Sequence, residues 1–124
     1  MATILLVEDD KMLGKAMADA LTEGGLEVTW VRSGEEAVAQ VAQIKPQLVY
    51  LDIMLPGIDG YEVLRQIKAN PQNPPVKIVM LSNLGQMEEM EKAKELGAAD
   101  YVIKANVDLA KLVELTKTKF LTPT

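Results

Sequence analysis

The chain contains no cysteine and no histidine. Without cysteine there is no disulfide framework, no thiol nucleophile and no thiolate-held metal. Without histidine there is no zinc site of the usual type, no Ser-His triad and no imidazole base. Positive charge is also short: 13 Lys and Arg stand against 18 Asp and Glu, a net charge of −5. No basic stripe offsets that balance, so direct contact with nucleic acid is not expected. No run of about 18 apolar residues is present, so no membrane span is expected. The first residues, Met1-Ala2-Thr3-Ile4, carry no charged segment of the secretory kind, and the expected location is the cytoplasm, or a cytoplasmic part of something larger. What remains for chemistry is carboxylates, lysines and hydroxyls.

The chain has 124 residues, 48% hydrophobic and 25% charged, which suits one domain with a buried core. Thr3-Ile4-Leu5-Leu6-Val7 reads as a first strand, ending on Glu8-Asp9-Asp10. Met12, Leu13, Ala16, Met17, Ala20 and Leu21 then recur at helical spacing, and Gly24-Gly25 stops that helix. Residues 26–31 read as a second strand. Ser33 and Glu36 form a capping box for a helix with Ala37, Val38, Val41 and Ile44 inward, ended by Lys45-Pro46. Residues 48–51 make a third strand that delivers Asp52. Asp59 and Glu62 repeat the box pattern before a helix with Val63, Leu64 and Ile67 inward. A proline-rich loop leads to a fourth strand, 76–81, ending on Ser82. A helix over 86–96 is closed by Gly97, a short fifth strand over 100–103 ends on Lys104, and Asn106 is expected to cap the last helix. Leu109, Leu112, Val113 and Leu115 face inward there, and Leu121 onward reads as a fraying tail. Strand–helix alternation with short links predicts an α/β fold, a parallel sheet with helices on both faces.

Four of the five strand ends carry polar groups: Glu8 and Asp9, Asp52, Ser82, and Lys104. The second strand offers only Arg32 and Ser33 and is expected at the sheet edge. In open α/β sheets, ligands collect at the carboxyl ends of the strands. Alone, Asp52 reads as well as a cap or turn acid as a functional group. Together the four ends are hard to obtain from packing needs. Clustered carboxylates repel, and a divalent cation among them relieves this. Mg2+ fits an oxygen-only site that keeps water and shares phosphate oxygens. These parts suggest phosphoryl chemistry, with Asp52 as nucleophile, Lys104 and the metal balancing charge, and Ser82 donating a hydrogen bond.

The sequence resembles the receiver domain of two-component response regulators over almost its whole length. The resemblance rests on Ile4-Leu5-Leu6-Val7-Glu8-Asp9-Asp10, Leu51-Asp52-Ile53-Met54-Leu55-Pro56-Gly57-Ile58-Asp59-Gly60, Leu81-Ser82, and Gly97-Ala98-Ala99-Asp100-Tyr101-Val102-Ile103-Lys104, in that order and spacing. It implies a flavodoxin-like, doubly wound five-stranded sheet of order 2-1-3-4-5, with a receiver unit over 1–121 and a tail over 122–124. It implies Asp52 as phosphoacceptor, served by a histidine kinase or a histidine phosphotransfer protein that supplies the missing histidine. It implies Asp9 and Asp52 as direct Mg2+ ligands, Glu8 acting through water, and the backbone carbonyl of Met54 completing the set. Ser82 and Tyr101 become the switch pair, though read from its own position Tyr101 is simply a half-buried strand residue, and Lys104 contacts the phosphoryl group. A downstream protein would read the face of the fourth helix, fifth strand and fifth helix, where Met87 and Met90 lie, although methionines so placed more often serve helix packing; a homodimer is left open. Asp10 reads better as the cap of the first helix, and Asp59 as a cap than as a site residue.

Some positions depart from the family pattern. Ala105 follows Lys104 where a proline with a cis bond is usual, which implies a trans, differently placed loop. Asn83 stands where a small residue is preferred. Met54 and Leu84, each two residues past a site residue, are apolar and cannot orient water, so slow self-dephosphorylation is expected. Three other readings compete: a docking-only receiver, an aspartyl phosphatase and a flavin binder. The first is opposed by the intact Glu8, Asp9, Asp52, Ser82 and Lys104. The phosphatase would need an acid at Met54, and the flavin binder needs ring-sandwiching aromatics, whereas Trp30 is expected away from the rim.

Overall fold

The computed structural model describes residues 2–83, 87–106 and 108–121. Leu84, Gln86 and the tail 122–124, on which expectations above fall, lie outside the described residues, as do the side chains of Met87 and Asn106. Five strands, β1 (Thr3–Val7), β2 (Glu27–Val31), β3 (Leu48–Asp52), β4 (Lys77–Ser82) and β5 (Asp100–Ile103), pair in parallel in the order β2-β1-β3-β4-β5. Five α-helices, α1 (Lys11–Glu23), α2 (Gly34–Ile44), α3 (Gly60–Ala69), α4 (Met87–Glu95) and α5 (Leu109–Leu115), connect and cover them. The expected fold and strand order hold, with β2 at the edge.

Period-two alternation sorts the sheet's side chains between two cores. Ile4, Leu6, Leu48, Tyr50, Val79 and Leu81 pack against Met17 and Leu21 of α1, Leu112 of α5 and Phe120. Leu5, Val7, Val49, Leu51, Ile78 and Met80 face Ala37 and Val41 of α2, Val63, Leu64 and Ile67 of α3, and Ala93 of α4. A strand covered on both faces needs no polar alternation, which is why Leu-Val-Tyr-Leu-Asp of β3 is buried throughout. The polar groups can then emerge only at the strand ends.

Several local expectations need correction. Met12 is not part of the inward stripe of α1; it is 84% exposed, because one helical face cannot hold every apolar residue of the first turn. Asp108 caps α5, accepting the N–H of Lys111 at 2.7 Å; Lys104–Asn106 instead forms a 3-10 turn straight after β5. Asp59 caps α3 through the Glu62 N–H, but the Glu62 carboxylate turns to Arg65 and Gln66 rather than back to the cap. Leu121 is not frayed: α5 runs on as a π-helical turn, Thr116–Phe120, and the Leu121 N–H reaches the Thr116 carbonyl at 2.9 Å. Leu121 also packs against the core under α1 and α5. Ser33 and Asp10 cap α2 and α1 as expected.

Candidate functional site

The ends of β1 and β3 are neighbours, so Glu8 and Asp9 leave the sheet beside Asp52. Lys104 follows β5, two strands from β3, and its long stem crosses the end of β4 to reach both. Its Nζ donates to Asp52 Oδ2 at 2.8 Å and to Glu8 Oε1 at 2.6 Å. The Asp52 Oδ1 atom accepts the Met54 N–H at 3.2 Å, and Glu8 Oε2 accepts the Asp10 N–H at 3.1 Å. Glu8 has no exposed surface and Asp52 has 2%. Asp9 is half-buried, and carboxylate oxygens of Glu8, Asp9 and Asp52 all lie within 4.8 Å of one another. The bend after β3 depends on Gly60. A Cβ there would stand 2.3 Å from the Asp52 carbonyl oxygen, so the start of α3 can press on the Asp52 backbone only if that residue is glycine.

Three carboxylates against one ammonium leave the rim short of positive charge. Burial pushes the Glu8 carboxyl up to about 7, with the neighbouring Asp52 adding to the rise and Lys104 and the Asp10 N–H opposing it. Burial also works against the charge of Lys104, but Asp52 and Glu8 outweigh it and hold the ammonium above its ordinary value. An all-oxygen acid cluster with unmet negative charge is a donor set that fits a hard divalent cation such as Mg2+.

The remaining expected residues stand around this cluster. Ser82, at the end of β4 and 3% exposed, donates its hydroxyl to Glu89 Oε2 of α4 at 3.1 Å. Tyr101 is half-buried in β5, beside the core under α2, α3 and α4, with the Lys94 Nζ 6.0 Å from its ring centre. Met54 is 71% exposed on the loop after β3.

Sequence reasoning missed two neighbours. The Trp30 indole, expected away from the rim, lies under α1 and donates to the Glu8 carbonyl at 2.8 Å, because Gly14 leaves room for the ring. Glu89 was invisible because an acid in the first turn of a helix reads as ordinary dipole compensation.

Comparison with known proteins gives a consistent family. The sequence model of the response regulator receiver domain matches residues 4–117. The chain is 38% identical over 104 residues to the transcriptional regulatory protein AfsQ1 of Streptomyces coelicolor, covering 84% of this chain and 45% of that protein. It spans about half the length of the curated relatives it matches. The BeF3-activated N-terminal receiver domain of RstA from Klebsiella pneumoniae superposes with a TM-score of 0.85 at 32% identity, over 98% of this chain and 99% of that one. The Mn2+-bound form of the response regulator Rcp1 has a TM-score of 0.85 at 27% identity, over 100% of this chain and 98% of that one. By the match of its sequence from β1 through α5 and the sheet order it adopts, the chain belongs to the receiver-domain family of two-component response regulators.

Proposed function

We propose that this chain is a phosphorylation switch that accepts a phosphoryl group on Asp52 from a histidine kinase or a histidine phosphotransfer protein. One Asp52 carboxylate oxygen attacks phosphorus, the bond to the donor histidine nitrogen breaks, and the electron pair leaves with that nitrogen. The carrying observation is the double contact of Lys104 with Asp52 and Glu8 beside Asp9, a cation already seated where charge would develop. Glu8, Asp9, Asp52 and the Met54 carbonyl would hold Mg2+, which when bound supplies charge neutralisation for the transferring oxygens. That Rcp1 takes Mn2+ supports a divalent site in the same fold. Ser82 would donate to the phosphoryl group and, with Tyr101, carry the change to the face of α4, β5 and α5, where a protein partner reads it. The unit runs over 1–121, catalyses only its own phosphorylation and dephosphorylation, and meets its donor in the cytoplasm.

The test is incubation with acetyl phosphate and Mg2+, followed by intact mass. The chain should gain one phosphoryl group, and Asp52→Asn should gain none. A gain that survives Asp52→Asn, or no gain in the parent chain, overturns this reading; the second result leaves a docking-only module.

A further inference from the structure

We infer that Glu89 is a positioning residue that holds the Ser82 hydroxyl on α4, so that phosphorylation of Asp52 must break this contact and thereby loosens α4. The inference rests on Asp52 being the phosphoacceptor. A serine hydroxyl has one proton to donate, and here it goes to Glu89 Oε2 at 3.1 Å. Asp52 pairs with Leu81 across β3 and β4, and the Ile53 N–H reaches the Leu81 carbonyl at 3.2 Å, so Ser82 leaves the sheet beside the phosphoacceptor. A phosphoryl group there brings strong acceptor oxygens and added negative charge. The single proton cannot serve both acceptors, and the Glu89 carboxylate is repelled by the new charge.

The way α4 is seated gives this exchange leverage. Among its described side chains only Ala93 is buried, so apolar packing holds the helix weakly. Polar contacts do much of the rest. The Glu89 carbonyl accepts the Tyr61 hydroxyl of α3 at 3.4 Å, and Lys92 sits 4.3 Å from the centre of the Tyr61 ring. Glu89 is thus held through its side chain by β4 and through its backbone by α3. Releasing the first contact leaves α4 hinged on Tyr61.

Two readouts on Glu89→Ala, Ser82→Ala and the double variant test this. In the unphosphorylated chain, both single variants should speed amide hydrogen exchange across α4, and the double variant should add nothing. With acetyl phosphate and Mg2+, Glu89→Ala should be phosphorylated about three- to tenfold faster, the worth of one hydrogen bond, and the gain should vanish in the Ser82→Ala background. A general loss of packing would not depend on Ser82. Unchanged α4 exchange, an unchanged rate, or an equal gain without Ser82 each overturns the inference. Faster exchange with no phosphate uptake in the parent chain overturns instead the phosphoacceptor reading and, with it, this control of the reaction.

Discussion

Glu8 is fully buried, and its proton competes with any cation at the rim. Its carboxyl titrates near 7 in the folded chain against an ordinary value of 4.5, so between those values the folded state binds more protons than the unfolded one. Stability of the metal-free protein should therefore fall as pH rises from about 4.5 to about 7. Urea unfolding between pH 5 and 8 measures this; Glu8→Gln should flatten the slope, and Mg2+ should offset the loss at the alkaline end. A slope of the opposite sign would mean the Lys104 contact outweighs burial. Met54 makes the second residue-scale prediction. Its exposed thioether cannot orient an attacking water, so Met54→Asn should shorten the phosphate lifetime in a decay measured by intact mass. A longer lifetime would count against slow self-dephosphorylation in the parent. These residue types could be read from the sequence, and so could the upward direction of the Glu8 shift from carboxylates crowding together; its main cause, burial, could not.

At the scale of elements, turn chemistry decides where the helices start and stop. The caps Asp10, Ser33 and Asp59 were legible because each precedes its helix at the spacing that satisfies a free N–H. The cap of α5 was not: Asn106 and Asp108 are both competent, and the 3-10 turn after β5 selects Asp108. The continuation of α5 was also hidden. Thr116, fully buried, donates to the Leu112 carbonyl at 2.7 Å and pairs with the Tyr50 hydroxyl of β3. Phe120 meets the Tyr50 ring edge-on, 6.0 Å between centres. No local pattern in Thr-Lys-Thr-Lys-Phe announces a partner 66 positions upstream. Thr116→Val keeps the shape but orphans the Tyr50 hydroxyl, and should cost about 1–3 kcal/mol in urea unfolding. Amide exchange should quicken over Thr116–Phe120 and not in α2; a uniform change would argue against a local tie.

For the whole molecule, one sheet divides the apolar interior into two packed layers. Leu21 belongs to the layer under α1 and α5, Ile67 to the layer under α2, α3 and α4. Leu21→Ala should cost about 2–5 kcal/mol and Ile67→Val about 0.5–1.5 kcal/mol. Separated by the sheet and sharing no partner, the two losses should add to within about 0.5 kcal/mol in a single cooperative transition. Marked non-additivity would mean the layers are coupled through β1 or β3. Helices on both faces were legible, but the division was not: Ile4-Leu5-Leu6-Val7 is apolar without a break, and only the folded strand sends Ile4 and Leu6 to one layer and Leu5 and Val7 to the other.

Local order in the chain carries the succession of strands and helices, the inward stripes of most helices, and the polar residues left at the strand ends. Periodicity and cap chemistry act over a few residues, so they survive in the linear order. Packing added what no local pattern carries: the double contact by which Lys104 ties Glu8 to Asp52, the reach of Trp30 to the Glu8 carbonyl, and the Ser82 proton given to Glu89. Those contacts join distant positions, and only the packing of whole helices on the sheet sets their distances.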